Sequence, residues 1–243
     1  MYFISDNKII ENKEFLLNED ESFHIKKVLR AKLDDKIKVF DFNKVWLCEI
    51  VDFKNRNVLL KPIEIVQKAK RKYKIKLYFP FIDRKLFEYV IKKSIEIGCD
   101  DLFPLITEFT QKHNIFDLND KKDRIDELIK SAMKQSESTA VLKINNSVYL
   151  KDILKEDKKF IIFTAEKINQ RIYNIYDALK KIKGEDINIV TGPEGGFSEG
   201  EKKEFKENFI PVKISYNILR AETAAISALS IINGILIENE NIL

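Results

Sequence analysis

The chain has 243 residues, of which 44% are apolar and 34% charged, a balance that excludes a disordered or fibrous polymer and leaves room for two domains. A net charge of +4 permits a polyanionic partner without requiring one. Two separated cysteines, Cys48 and Cys99, and two separated histidines, His24 and His113, exclude a disulfide framework and a zinc site, so no metal is expected.

The first residues, MYFISDNKIIENKEF, are acidic and lack an apolar core of secretory length, so a soluble cytoplasmic protein is expected. Residues 24–33 (HIKKVLRAKL) place Ile25, Val28, Leu29 and Leu33 at helical spacing and predict a basic amphipathic helix carrying Lys26, Lys27 and Arg30. Three strand-like runs follow, IKVFDF, VWLCEIVDF and NVLLKPIEIV, close enough together for a small barrel. The Lys-rich stretch at 67–76, which includes Arg71, reads as a linker, and it divides the chain into domains at 1–69 and 70–243.

Beyond the linker, strands and helices alternate. Strands are expected at KIKLYF, DLFPLI, KFIIFTA, INIVTG and PVKIS, and helices near 85–97, 122–137, 171–182 and from Glu199. That alternation predicts an α/β domain with a largely parallel sheet. Gly98 marks a helix end, and Pro104 with Thr107 and Glu108 is expected to stop the strand that follows. The apolar residues 224–237 are too few and too interrupted to span a bilayer; they read as a buried helix, and no membrane partner is expected.

Two segments stand out for chemistry. In INIVTGPEGGFSEGE an apolar strand runs into Gly192-Pro193-Glu194-Gly195-Gly196, after which Ser198 and Glu201 have the spacing of a capping box. Adjacent glycines allow positive φ and close backbone approach to a ligand, at the strand end where α/β sheets bind ligands. There is no GK[ST] and no GxGxxG, so a phosphate loop is disfavoured. The second segment, Ile218 to Ala224 (ILRAETA), precedes the apolar helix; Glu222 or Thr223 would cap it, and Arg220 and Glu222 could equally form an exposed ion pair. Only 7 of the 43 basic residues are arginines, so Arg220 merits notice.

In this order the motifs resemble the RsmE family, the 16S ribosomal-RNA uridine-N3 methyltransferases of the SPOUT superfamily. The resemblance rests on His24 with Val28-Leu29-Arg30, on Lys93, Glu96 and Gly98 leading into Pro104-Leu105 and Thr107-Glu108, and on Ala132 with Gln135-Ser136. Above all it rests on GPEGGF at 192–197 and ILRAETA at 218–224. It implies an N-terminal PUA-like RNA-binding β-barrel, a C-terminal trefoil-knot domain that pairs as a homodimer, and a substrate in the small ribosomal subunit.

The resemblance further implies that three loops hold S-adenosylmethionine (SAM), through Leu105 and Thr107, through Thr191, Gly192, Pro193 and Gly196, and through Ile218, Leu219, Thr223 and Ala224. Arg220, Glu222 and Glu194 are then the catalytic candidates, and Lys26, Lys27, Arg30 and Arg71 the RNA contacts. The sequence also departs from the family: Phe109 replaces an Arg after the Thr-Glu pair, Gln135-Ser136-Glu137-Ser138 replaces Q-S-G-R, and Ile214-Ser215-Tyr216-Asn217 replaces L-G-P-R. A Lys is missing after Pro80. Two rival readings follow from these losses: a methyltransferase of another RNA base, and a non-catalytic RNA-binding assembly factor.

Overall fold

The computed structural model describes all residues except 1, 69–72, 119, 121, 165–170, 183, 185 and 239–243. It contains two compact units, one of residues 1–71 with 130–141, the other of residues 72–129 with 142–243.

In the first unit, β1 (Phe3–Ile4), β3 (Lys36–Phe40), β4 (Lys44–Lys54), β5 (Asn57–Lys68) and β2 (Phe15–Leu16) form a sheet in the order β1-β3-β4-β5-β2. The long strands are the three runs predicted from sequence. The two-residue strands at the sheet ends carry no periodic signal, and among the described residues the ladder stays open between them. Ile37, Val39, Trp46, Cys48, Ile50, Val58 and Leu60 alternate inward to form the core. Asp41 sets the β3-to-β4 turn and anchors the N-terminal segment: its carboxylate accepts the amides of Asn43 and Lys44, the Trp46 indole N–H at 3.0 Å and the Ile9 amide at 3.2 Å.

The predicted amphipathic helix at 24–33 is corrected. A short α1 (Glu19–Phe23), capped by Asn18, passes into a π-helical turn, His24–Leu29, which ends where Arg30 takes a left-handed φ of 53°. Bonding from i to i+5 widens the turn, so the helical period no longer defines a face. Ile25 is buried, whereas Val28, Leu29 and Leu33 are exposed.

Residues 130–141 lie in the sequence of the expected second domain but group with the first unit. Lys134 holds both Glu21 oxygens at 2.9 and 3.1 Å, Lys130 pairs with Asp6 at 2.8 Å, and Ala132 and Met133 are buried. These residues include the C-terminal part of α3 (Lys122–Ser136).

The second unit is the predicted α/β domain. Its strands are β6 (Ile75–Pro80), β7 (Asp101–Ile106), β8 (Lys143–Ile144), β9 (Val148–Tyr149), β10 (Phe160–Phe163), β11 (Ile187–Thr191) and β12 (Phe209–Val212). They pair in parallel in the order β12-β10-β11-β6-β7-β8, with β9 also on β7. The helices are α2 (Arg84–Ile97), the N-terminal part of α3, α4 (Leu150–Ile153), α5 (Ile175–Lys181), α6 (Glu199–Glu204) and α7 (Ala221–Glu238). Gly98 ends α2 at φ 101°, as its position predicts.

Pro62 of β5, Pro80 at the end of β6, Pro104 of β7 and Pro211 of β12 all fall within strands. β7 covers the predicted DLFPLI and ends before Thr107 as expected, but Pro104 lies within it and does not stop it. Leu102 offers its carbonyl toward the β8 side, to Asn145, while Leu105 offers its own to Phe81 on the β6 side. Alternation therefore points the Pro104 nitrogen at the gap between β8 and β9, where no amide donor is needed. The last strand also starts earlier than expected, at Phe209, and Pro211 faces its outer edge, where its carbonyl accepts the Tyr173 amide at 2.9 Å.

The apolar segment near the C-terminus forms α7, an 18-residue helix that is long and apolar enough to cross a membrane by length and composition alone. Ala221, Ala225, Ala228, Leu229, Ile232, Ile235 and Leu236 make its buried face, packed on α2, β6 and β11. Glu222 and Thr223 fall in its first turn and are not caps; the Arg220 carbonyl accepts the Ala224 amide at 2.8 Å and starts the helix.

Candidate ligand cleft at the carboxyl ends of the sheet

A cleft of about 210 Å³ opens where β10, β11 and β12 end. Phe163 and Thr164 come from the end of β10, Gly192 to Phe197 follow β11, and Lys213 to Ser215 with Asn217 to Leu219 follow β12. Ala221 and Ala224 close it from the first turn of α7. Parallel strands deliver all these loops to one end of the sheet, where ligands bind in such folds.

The glycine loop is built for close approach. The Gly196 amide donates to the Pro193 carbonyl at 2.9 Å to close a tight turn, and Gly196 itself adopts φ 71°. At Gly192 an added Cβ would lie 2.9 Å from the Phe197 ring, and at Gly195 one would lie 3.3 Å from Phe109 Cβ. Phe197 is buried edge-on to Phe205, so the ring has little freedom to retreat. The predicted capping box is present: Ser198 accepts the Glu201 amide at 3.1 Å, and Glu201 Oε2 accepts the Ser198 amide at 2.9 Å.

Glu201 also does something its sequence position did not reveal. Its other oxygen accepts the Glu108 amide at 2.8 Å, which ties the loop after β7 to the start of α6. That loop is tightened by Thr110, whose hydroxyl accepts the Thr107 amide at 2.9 Å, and Phe109 packs on Gly195. With Phe81 and Ile82 it encloses a smaller recess sharing Pro193, Glu194 and Gly195 with the main cleft.

Of the residues marked from sequence, Gly192, Pro193, Glu194, Gly196, Ile218, Leu219 and Ala224 line the cleft. Leu105 is buried in the core below it, and Thr107 belongs to the Glu201-linked loop. Thr191 is fully buried one residue before Gly192, and its hydroxyl has no partner among the described residues. Arg220, Glu222 and Thr223 flank the cleft without lining it. Arg220 is exposed, and among the described residues no ion pair between it and Glu222 is found.

In the first unit, Lys27 and Arg30 are exposed, whereas Lys26 is engaged, donating to the Asn55 carbonyl at 2.8 Å beside the Phe53 ring. Arg71 lies outside the described residues. Among the described residues no group of His, Cys, Asp and Glu could hold a metal. Sequence reading missed Phe163, Thr164 and Lys213 as cleft residues; the only available signal was their place at the carboxyl ends of predicted parallel strands.

A parallel sheet whose end loops form such a cleft, joined to a small β unit, is the class to which the family comparisons assign the chain. Residues 69–233 match the RNA methyltransferase domain family, and residues 17–63 match the RNA methyltransferase PUA domain. A ribosomal RNA small subunit methyltransferase E of Mesomycoplasma hyopneumoniae is 30% identical across 95% of this chain and 98% of its own length. Ribosomal RNA small subunit methyltransferase E 1 of Borreliella burgdorferi is 32% identical over 87% of this chain and 89% of its own. A solved structure from Legionella pneumophila, described as a methyltransferase in complex with the bound cofactor SAM, superposes with a TM-score of 0.76 at 25% identity, covering 96% of both chains. The chain belongs to the ribosomal RNA small subunit methyltransferase E family.

Proposed function

We propose that this protein transfers the methyl group of SAM to N3 of a uridine in 16S ribosomal RNA of the small subunit, in the cytoplasm. The observation that carries the reading is the cleft formed by the GPEGGF and ILRAETA loops, backbone-rich on one side and apolar on the other. Its composition fits SAM: glycines leave amides and carbonyls open to a purine edge, Phe163, Leu219, Ala221 and Ala224 offer apolar walls, and Thr191 holds an unpartnered hydroxyl beneath. The names of the relatives and the SAM-bound Legionella structure support it.

Bound in the cleft, SAM would supply the electrophilic methyl group. Gly192, Pro193, Gly196, Ile218, Leu219 and Ala224 would hold it, with Leu105, Thr107, Thr191 and Thr223 fixing the loops from behind. N3 of uracil becomes nucleophilic on losing its imide proton to water, which spreads negative charge onto the flanking oxygens. Arg220 stabilises that charge or grips the target phosphate, Glu222 orients it, and Glu194 shapes the rim between the cleft and the Phe109 recess. Lys27 and Arg30, with Lys26 and Arg71, would add phosphate contacts from the PUA-like unit.

The SPOUT trefoil knot belongs to the same proposal. After the edge strand β12 the chain turns back past the cleft to place α7 on the central strands β6 and β11, a path consistent with threading. So does a homodimer: Ile226 and Ile231 of α7 remain half-exposed and Ile237 is exposed, leaving apolar surface for a second copy.

The test is transfer from labelled SAM into small subunits that lack the modification. Wild type should label the RNA, and Arg220→Ala should lose roughly 100-fold or more, the scale of a removed oxyanion donor, while SAM affinity measured by calorimetry is unchanged. Full transfer by Arg220→Ala would remove its assigned role.

A further inference from the structure

At the opposite end of the same strands lies a groove of about 970 Å³, formed where β10 and β12 begin, beside the last turn of α5. Lys155, Lys159, Arg171, Lys181 and Lys206 line it together with Tyr173. The Arg171 guanidinium lies 5.3 Å from the Tyr173 ring centre and the Lys181 ammonium 4.9 Å from it. One aromatic ring thus gathers two cations, and among the described residues neither has a carboxylate partner. Holding like charges together without a counter-ion costs electrostatic energy that a bound anion would relieve.

The stack is firmly placed. Tyr173 donates its amide to the Pro211 carbonyl and bridges to Val212, which fixes it to the edge of β12. Asn208 braces the floor by donating to the Glu156 and Lys158 carbonyls at 2.9 and 3.1 Å. Three carboxylates also line the groove, Glu156, Asp157 and Glu207, but Glu156 is engaged by Lys158 at 2.6 Å. Lys155 is engaged by Asp152 at 3.7 Å, whereas Arg171 and Lys181 have no carboxylate partner among the described residues.

We propose that this groove binds the sugar-phosphate backbone of single-stranded RNA, with Arg171 and Lys181 as the principal phosphate contacts. Cations spread over three loops and a helix end suit repeating phosphates better than one isolated anion. The proposal rests on the RNA methyltransferase reading and adds a second anchor to it. The groove begins at the amino end of β12 and follows its outer edge to Tyr173, beside Pro211 and Val212, whereas the cleft lining resumes at Lys213, so the RNA held here would flank the target nucleotide rather than contain it. Loss of the groove should then weaken substrate capture and leave the chemical step intact.

The test uses the full chain with two double variants, Arg171→Gln with Lys181→Gln and Arg171→Glu with Lys181→Glu; the milder pair serves if charge reversal disturbs folding. Anisotropy with a fluorescent single-stranded 20-nucleotide RNA, repeated across salt concentrations, should show affinity roughly tenfold lower in the Gln pair. The slope of log affinity against log salt should shrink by about 1.4, two contacts at about 0.7 each. KM for unmodified small subunits should rise while kcat and SAM affinity hold. Unchanged slope and KM in both pairs, with wild type binding and methylating RNA, would overturn the groove alone. A wild type that binds no RNA would overturn both readings. RNA affinity retained by the variants together with lost binding of a polyglutamate peptide would assign the groove to an acidic protein partner instead.

Discussion

Gly192 has no room for a side chain, because the atom it would add meets the Phe197 ring at 2.9 Å and that ring is wedged against Phe205. Gly192→Ala should therefore displace Phe197, cost about 1–3 kcal/mol of stability and weaken SAM binding in calorimetry. The additional change Phe197→Leu, which removes the clashing ring edge, should recover affinity; failure of that rescue would show that the glycine serves something other than closeness to Phe197. The glycine loop was legible in the sequence because glycine and proline announce unusual backbone directly. Glu201 was half legible: S-x-x-E predicted its bond to Ser198, but nothing local predicted that its second oxygen would reach Glu108, 93 residues away in the chain. Likewise Phe163 and Lys213 become cleft residues only through strand order, which a single sequence does not state.

Among the elements, the long strands β3 to β5 were readable as strand-like apolar runs, α2 by its terminal glycine and α7 by its apolar run, although neither residue offered as the α7 cap serves as one. The short strands β1, β2, β8 and β9 were not, because two residues carry no period. The π-turn at His24–Leu29 misled for a sharper reason: its apolar residues imitate a helix face that i to i+5 bonding destroys. One element junction gives a pH-dependent prediction. Asp186, just before β11, accepts the Lys74 amide at 3.0 Å and pairs with Lys76 at 2.7 Å, tying β11 to β6. Burial would raise its pKa, but the Lys76 and Lys74 hydrogen bonds and charges outweigh it and hold the carboxyl below its usual range. A folded pKa below the unfolded one stabilises the native state above the unfolded value, and that stability is lost as pH falls through the folded value. Asp186→Asn should thus lower Tm at pH 7, and its difference from wild type should close on acidification below the usual carboxylate range. A difference that persists undiminished at the acid end would mean the carboxylate charge is not what joins the two strands.

At the scale of the whole molecule, the chain combines a small β unit with an α/β unit whose two strand ends carry different surfaces. The carboxyl ends bear the cleft of about 210 Å³, and the amino ends bear the cationic groove. The arginines missing relative to the family pattern lie in the motif loops, at Phe109, Glu137-Ser138 and Asn217, whereas Arg220 and Arg171 remain without carboxylate partners among the described residues. The most direct test of the central claim is mass spectrometry of 16S RNA after incubating unmodified small subunits with the protein and SAM. The account predicts one new methyl group on a single uridine, placed on N3. Methylation of another atom or base, or none despite measurable SAM binding, would contradict it.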